Sequence, residues 1–285
     1  ASQGVRDRAA DEVKQKLIAN QSKLTDWQYP AECKFVDKFC EIGIARPIKA
    51  LFWGDSHIQQ WQPLFRFLDK ANKTNSTQII IGGSAGCLPI RDLERIKNGF
   101  DCQQANDRTF QRARQEDVKI IVLGSIWSTY FSDDIFSGNR QPNICDAATG
   151  CGIFKSPQQA AAKAKMYLLR DVQTLIQEGK KVYLLLPIPV YHDAVPNLMA
   201  KGLFLQGEGR LIKSAKQHNA DSALVREMIV SVAQQTGAQV LNPAEVLCGS
   251  GECTNNQNGI SIYKDNNHLV SEATLWFEPM FTRIF

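Results

Sequence analysis

Short, solid apolar runs alternate along this chain with longer stretches in which apolar residues recur every three or four positions. The runs Ile48 to Trp53, Thr77 to Ile81, Lys119 to Leu123, Lys181 to Leu186 and Gln239 to Leu241 are too short for helices and predict five strands. Ile58, Trp61, Leu64, Phe65 and Leu68 share one helical face and predict a helix over 57–72, starting just after Ser56. Further helices are predicted at 103–114, 157–178, 222–236 and 269–281, with Gly179 and Gly237 ending the second and third of these. Strands alternating with helices imply the α/β class, here three α/β/α layers around a mainly parallel five-stranded sheet. The strand ends then share one edge, which carries Ser56, Gly86, Trp127 and Pro187.

Outside this pattern the sequence is less regular. Residues 1–30 predict a polar helix with a thin apolar stripe (Val5, Ala9, Val13, Leu17) and a turn at Tyr29-Pro30, so 1–45 reads as a linker or extension and 46–285 as the domain. Segments 136–156 and 188–218 read as long irregular connections that either shape a substrate cleft or decorate the surface.

Composition narrows the classes. A chain of 285 residues, 44% hydrophobic and 22% charged, can bury one large core. Its formal charge of +4 is dispersed, with no block of five or six like charges, which argues against nucleic-acid binding. No apolar run approaches the roughly 20 residues of a membrane-spanning helix. Because the chain starts at Ala1 without a signal-like segment, it reads as a processed product or a piece of something longer.

Eight cysteines without a paired Cys-x-x-Cys metal pattern favour disulfides over metal ligation. They fall into four local pairs in or beside predicted loops, Cys33-Cys40, Cys87-Cys102, Cys145-Cys151 and Cys248-Cys253. This sequential pairing is one of 105 connectivities, and eight reduced thiols are the alternative. Disulfides place the chain in an oxidising compartment, a periplasm or cell exterior.

Chemistry concentrates in two stretches. The apolar run Leu51-Phe52-Trp53 ends in Gly54-Asp55-Ser56-His57, which puts a serine at the carboxyl end of a strand, where α/β proteins build sites. A serine hydroxyl needs an imidazole to take its proton, and the imidazole needs a partner that fixes its tautomer. Asp265 and His268 have the spacing for such a local pair, with His268 opening the last helix. His57 is adjacent to Ser56 and expected to point elsewhere, and Asp55 reads as a cap. Trp127 and Tyr130 either stack on a sugar ring or belong to the core.

Taken together, Gly54-Asp55-Ser56, Gly86 and Asp265 to His268 resemble the SGNH (GDSL-like) hydrolases. Gly-Asp-Ser-His, the block Ala85-Gly86-Cys87-Leu88-Pro89, the local cysteine pairs and Asp-x-x-His-Leu resemble more closely the SGNH domain fused to membrane-bound acyltransferases of type three. The resemblance runs from about residue 45 to the end. It implies an SGNH hydrolase-like, flavodoxin-like fold and an O-acetyltransferase acting on a bacterial surface glycan such as the lipopolysaccharide O-antigen. Ser56 would be the acyl-carrying nucleophile, His268 the base and Asp265 its orienter. The amides of Ser56 and Gly86 would form the oxyanion hole. No cofactor is expected on this domain; acetyl-coenzyme A would be the ultimate donor through an N-terminal membrane domain, and the isolated domain would be a monomer in the periplasm. A carbohydrate O-acetyl esterase of the same fold is the alternative reading. In one place the chain departs from the superfamily pattern: Gly124-Ser125-Ile126-Trp127 lacks the asparagine expected there, so either the oxyanion hole has two donors or Trp127, Ser125 or Ser128 supplies the third.

Overall fold

The computed structural model describes residues 2–26, 33, 39–96, 101–132, 141–204 and 213–285. The helix α1 (Ser2–Lys23) is followed by β1 (Cys40–Ile42), β2 (Ile48–Gly54), α2 (Ser56–Gln59), α3 (Gln62–Lys70) and β3 (Thr77–Gly83). Next come α4 (Cys102–Arg114), β4 (Val118–Gly124), α5 (Ser128–Phe131), α6 (Pro157–Gln177) and β5 (Lys181–Leu185). The chain closes with α7 (Ala223–Thr236), β6 (Gln239–Leu241), α8 (Ser271–Thr274), a 3₁₀ turn at Leu275–Phe277 and α9 (Glu278–Thr282). The main sheet has the order β1-β3-β2-β4-β5-β6, all parallel except the antiparallel edge strand β1.

The central strands are apolar over most of their length because both faces are covered. Along β2, Ala50 and Phe52 enter a cluster with Trp61, with Leu64 and Phe65 of α3, and with Phe277 and Phe281. Leu51 and Trp53 enter the opposite cluster, with Phe110 of α4, Leu168 of α6 and Ile229 of α7. One strand with period-two alternation thus joins two cores, and each fully buried large side chain contributes on the order of 2 kcal/mol.

The five predicted strands are all present, and the structure adds a sixth. Cys40–Ile42 pairs with Ile79–Ile81; three residues with a glutamate in the middle leave no readable pattern. The sheet therefore begins before residue 46, within the segment the sequence reads as an extension. Two predicted helices are broken where proline intervenes. The one over 57–72 ends at Gln59 and restarts at Gln62 with Pro63 in its first turn, and the one over 269–281 splits with Pro279 in the first turn of α9. Proline lacks the N–H that a continuous helix needs there but suits a first turn. Nor are the two long connections wholly irregular. Ile144–Asp146 pairs with Leu93–Arg95, and helices occupy Val195–Phe204 and Ala215–Asp221. The turn at Tyr29-Pro30, residues 136–140 of the first connection and 205–212 of the second lie outside the described residues.

All eight cysteines are paired sequentially, Cys33–Cys40, Cys87–Cys102, Cys145–Cys151 and Cys248–Cys253. Four disulfides belong to a chain that matures in an oxidising, extracytoplasmic compartment. No helix among the described residues is long and apolar enough to cross a membrane.

The end of α1 packs on the domain rather than leaving it. The Asn20 side chain donates to Gly259 O and accepts from Ser261 N, at 2.9 and 2.8 Å. Asp26 accepts from Ser271 N at the start of α8, and Lys23 pairs with Glu272. These contacts fall on both flanks of the 262–270 segment.

Three neighbouring strands stop level with one another in glycine, Gly54 beside Gly83 on one side and Gly124 on the other. Their backbones approach so closely that a Cβ on Gly54 would lie 1.8 Å from Gly124 O, and one on Gly83 2.2 Å from Gly54 O. Gly54→Ala is therefore expected to abolish folding or cost more than about 4 kcal/mol. Gly150→Ala, with φ +92° but open space around it, should cost about 1 kcal/mol. Urea unfolding of both variants checks the contrast; equal effects would contradict it.

Candidate active site

The site is assembled where β2 ends. Asp55 leaves the strand in extended backbone and caps α2, its Oδ1 accepting the His57 amide at 2.8 Å. Ser56 is the first residue of that helix, so its amide has no intrahelical acceptor. From the far end of the chain comes a tight turn. Asp265 Oδ1 accepts the amides of Asn267 and His268, both at 2.8 Å, and Lys264 N donates to His268 O.

This turn aims the imidazole. His268 Nδ1 lies 2.8 Å from Asp265 Oδ2, and His268 Nε2 lies 2.8 Å from Ser56 Oγ. An ionised carboxylate only accepts, so Nδ1 carries the proton and Nε2 presents its lone pair to the serine hydroxyl. Burial raises the Asp265 pKa, but the His268 hydrogen bond and charge and the two amides outweigh it and hold the carboxyl down at about 2. Ser56 is thus brought into one hydrogen-bonded line with His268 and Asp265, more than two hundred residues further along the chain. His268 itself precedes the last helices, which start at Ser271; it sits beside Leu269, which bridges back to Tyr263.

Two further contacts join α2 and the residue that follows it, Gln60, to this turn. His57 Nε2 meets Asn267 Oδ1 at 2.9 Å, and Leu269 N donates to Gln60 Oε1 at 3.0 Å. His57 is 3% exposed, and its ring centroid lies 4.8 Å from that of His268. Burial, then the neighbouring His268, push its pKa down to about 4 against the opposing pull of Asp55, Asn267 and Asp265.

Asp55 does more than cap. Its carboxylate is fully buried, and Oδ2 accepts from Ser125 Oγ at 2.6 Å, Ile126 N at 3.2 Å and Tyr130 Oη at 2.9 Å. The segment after β4 is therefore tied to the serine turn. Within it Trp127 has φ +41° and ψ −67°, and Ser128 N donates to Ile126 O, a γ-turn of the rare positive-φ form. Such a conformation costs on the order of 1–3 kcal/mol and needs its surroundings to impose it. Here the indole is wholly buried and donates to Leu185 O at 2.9 Å.

These contacts correct the reading of Trp127 and Tyr130 as sugar-stacking residues. Both are buried in the core and committed to internal hydrogen bonds, so neither face is free for a ring. Burial and the adjacent Asp55 push the Tyr130 phenol well above its ordinary pKa. Ser125 and the Trp127 indole also drop out as third oxyanion donors, since both donate elsewhere. Gly86 turns with φ +77°, and its carbonyl accepts from Arg95 Nη1 at 3.2 Å. The roles of Asp55, Gln60 and Arg95 left no local trace in the sequence, because their partners lie far away along the chain. Among the described residues no group of three His, Cys, Asp or Glu side chains could hold a metal ion.

A doubly wound sheet with Ser56, His268 and Asp265 at its carboxyl edge has the architecture of the SGNH hydrolases. The model of the SGNH domain fused to AT3 domains matches residues 25–283, and the chain belongs to that family. No curated protein sequence matches it. Among solved structures, the periplasmic domain of the Salmonella ser. Paratyphi A lipopolysaccharide acetyltransferase is similar, with a TM-score of 0.60 and 9% identity over 85% of this chain and 84% of that one. A catalytic mutant of Axe2, an acetylxylan esterase from Geobacillus stearothermophilus, overlays with a TM-score of 0.44 and 12% identity over 85% and 95% of the two chains.

Two buried histidines make stability depend on pH. His57 and His218 both have pKa values lowered to about 4, His218 by burial and then by Arg226 and Lys213. The unfolded chain binds these protons near pH 6.5, the folded one only near 4, so stability is complete above 6.5 and falls as pH drops through this window. Each histidine accounts for a loss on the order of 3 kcal/mol by pH 4. Denaturant titrations from pH 7 to 4 should show this slope, reduced by one proton in His218→Gln; a flat profile between 6.5 and 4.5 would contradict it.

Proposed function

We propose that this domain is an O-acetyltransferase that carries an acetyl group on Ser56 and passes it to a hydroxyl of an extracytoplasmic glycan such as a lipopolysaccharide O-antigen. The observation that carries the reading is the unbroken line from Ser56 Oγ through His268 to Asp265, in a chain whose family is described as fused to AT3 domains.

In the first step Ser56 Oγ attacks the acetyl carbonyl as its proton moves to His268 Nε2, and the leaving group departs with that proton. Asp265 stabilises the imidazolium that forms between the two transfers. In the second step a sugar hydroxyl gives its proton to His268 and attacks the acyl-serine, and Ser56 recovers a proton as the ester bond breaks. The backbone amides of Ser56 and Gly86 face the developing oxyanion, each worth about a hundredfold or more in rate. Arg95 donates to the Gly86 carbonyl and so fixes the peptide unit that follows Gly86 in this loop. Acetyl-coenzyme A is the ultimate donor, and an N-terminal membrane acyltransferase domain delivers the acetyl group outward. The domain works in the periplasm, tethered to the inner membrane through that partner, and is a monomer in isolation.

Incubated with a chromogenic acetyl ester, the domain should turn over slowly. Ser56→Ala and His268→Ala should each reduce kcat by on the order of a thousandfold or more, and unchanged turnover in either would refute the assignment. With a glycan acceptor added to the same donor, mass spectrometry should find acetate gained by the glycan. An acetylated glycan that instead loses acetate would identify a carbohydrate esterase.

A further inference from the structure

Beside the serine, the Gly-Asp-Ser-His run carries a second histidine that the acyl-transfer steps leave unused, and its contacts are specific. Successive residues of α2 meet successive residues of the acid–base turn in reverse order. Ser56 pairs with His268 at 2.8 Å, and His57 pairs with Asn267 at 2.9 Å. The hydrogen-bond roles in the second pair follow from its neighbours. Asn267 Nδ2 donates to Asn266 Oδ1 at 2.5 Å, which fixes the amide orientation and turns Oδ1 towards His57. The Nε2 of His57 therefore carries the proton and donates it to Asn267. Asn266 is held in turn, its carbonyl accepting from Tyr191 N at 2.8 Å.

We propose that His57 is a positioning residue for His268: through Asn267 it fixes the acid–base turn against the nucleophile helix, and its ring backs the His268 imidazole. The inference rests on the acyl-transfer reading above. Leu269 N, bonded to Gln60 Oε1, holds the turn on the far side of His268. The His57–Asn267 contact holds it on the near side, so that the imidazole is clamped between the two and cannot tilt about the Ser56 contact. Misplacing a catalytic group by about 1 Å can cost about a hundredfold in rate, so the second contact acts on kcat without touching substrate. Burial keeps the His57 imidazole neutral, although Asp55 and Asp265 stand nearby. The imidazolium formed on His268 during turnover then meets an uncharged ring rather than a second cation.

Three variants test this in the intact domain with the chromogenic acetyl ester. His57→Phe keeps the ring and removes the donor, Asn267→Ala removes the acceptor, and His57→Gln restores a donor without the ring. His57→Phe and Asn267→Ala should each lower kcat by about ten- to a hundredfold with KM unchanged. The double variant should be no worse than either single one, since both break the same contact. His57→Gln should recover kcat to within about fivefold of the wild type. Where His57→Phe fails to fold by thermal melting, Asn267→Ala on the half-exposed turn decides: a lowered kcat supports the role and a wild-type kcat overturns it. Multiplicative effects in the double variant overturn it as well. Turnover surviving in Ser56→Ala overturns the acyl-enzyme reading and this inference with it. An inactive Ser56→Ala beside a fully active His57→Phe overturns the positioning role alone.

Discussion

The buried carboxylate of Asp55 is the constraint on which the site depends. An ion removed from water is costly unless every lone pair is answered, and Asp55 is answered by the His57 amide, Ser125 Oγ, the Ile126 amide and Tyr130 Oη. None of these donors can move without leaving a buried charge short of a partner. Two loops that follow different strands are therefore locked together, and the geometry around Ser56 follows from that lock. The strained backbone at Trp127 persists for the same reason, since its neighbours on both sides are held and its indole is buried.

Around this centre the sheet contributes proximity and the outer elements contribute rigidity. Glycines at the level ends of β2, β3 and β4 let three backbones close on one another, so little space separates the loops that bear the chemistry. The Asp265–His268 turn is not carried by the sheet at all. It is held from one side by Ser56 and His57 of α2 and by Gln60 just after it. The end of α1 and the turn after it secure its flanks at Ser261 and Ser271. The N-terminal segment is in this sense part of the site's scaffold, a role its thin apolar stripe does not announce.

Much of this was legible before folding. Five parallel strands could be read because burial on both faces makes each a solid apolar run, and the helices between them because one face must meet the sheet. Ser56, Asp265 and His268 could be read because each sits in a local turn motif whose spacing carries meaning by itself. The cysteines group into local pairs in the sequence, and the structure selects the sequential pairing from the connectivities that grouping left open. Where proline interrupts an apolar period, at Pro63 and Pro279, the period misled, since a helical face continues through a break in the backbone.

What the sequence by itself determined was the fold class, the local grouping of the cysteines and the identity of the three aligned residues, all written in local pattern and short spacing. Only the tertiary structure decided what surrounds them. It placed β1 in the sheet, withdrew Trp127 and Tyr130 into the core and made Asp55 the tie between two loops. It also turned His57 from a bystander into the neighbour of His268. Each of these rests on contacts between residues that are distant in sequence, formed by the closure of strand ends and the need to satisfy buried polar groups, which no local window of residues can reveal.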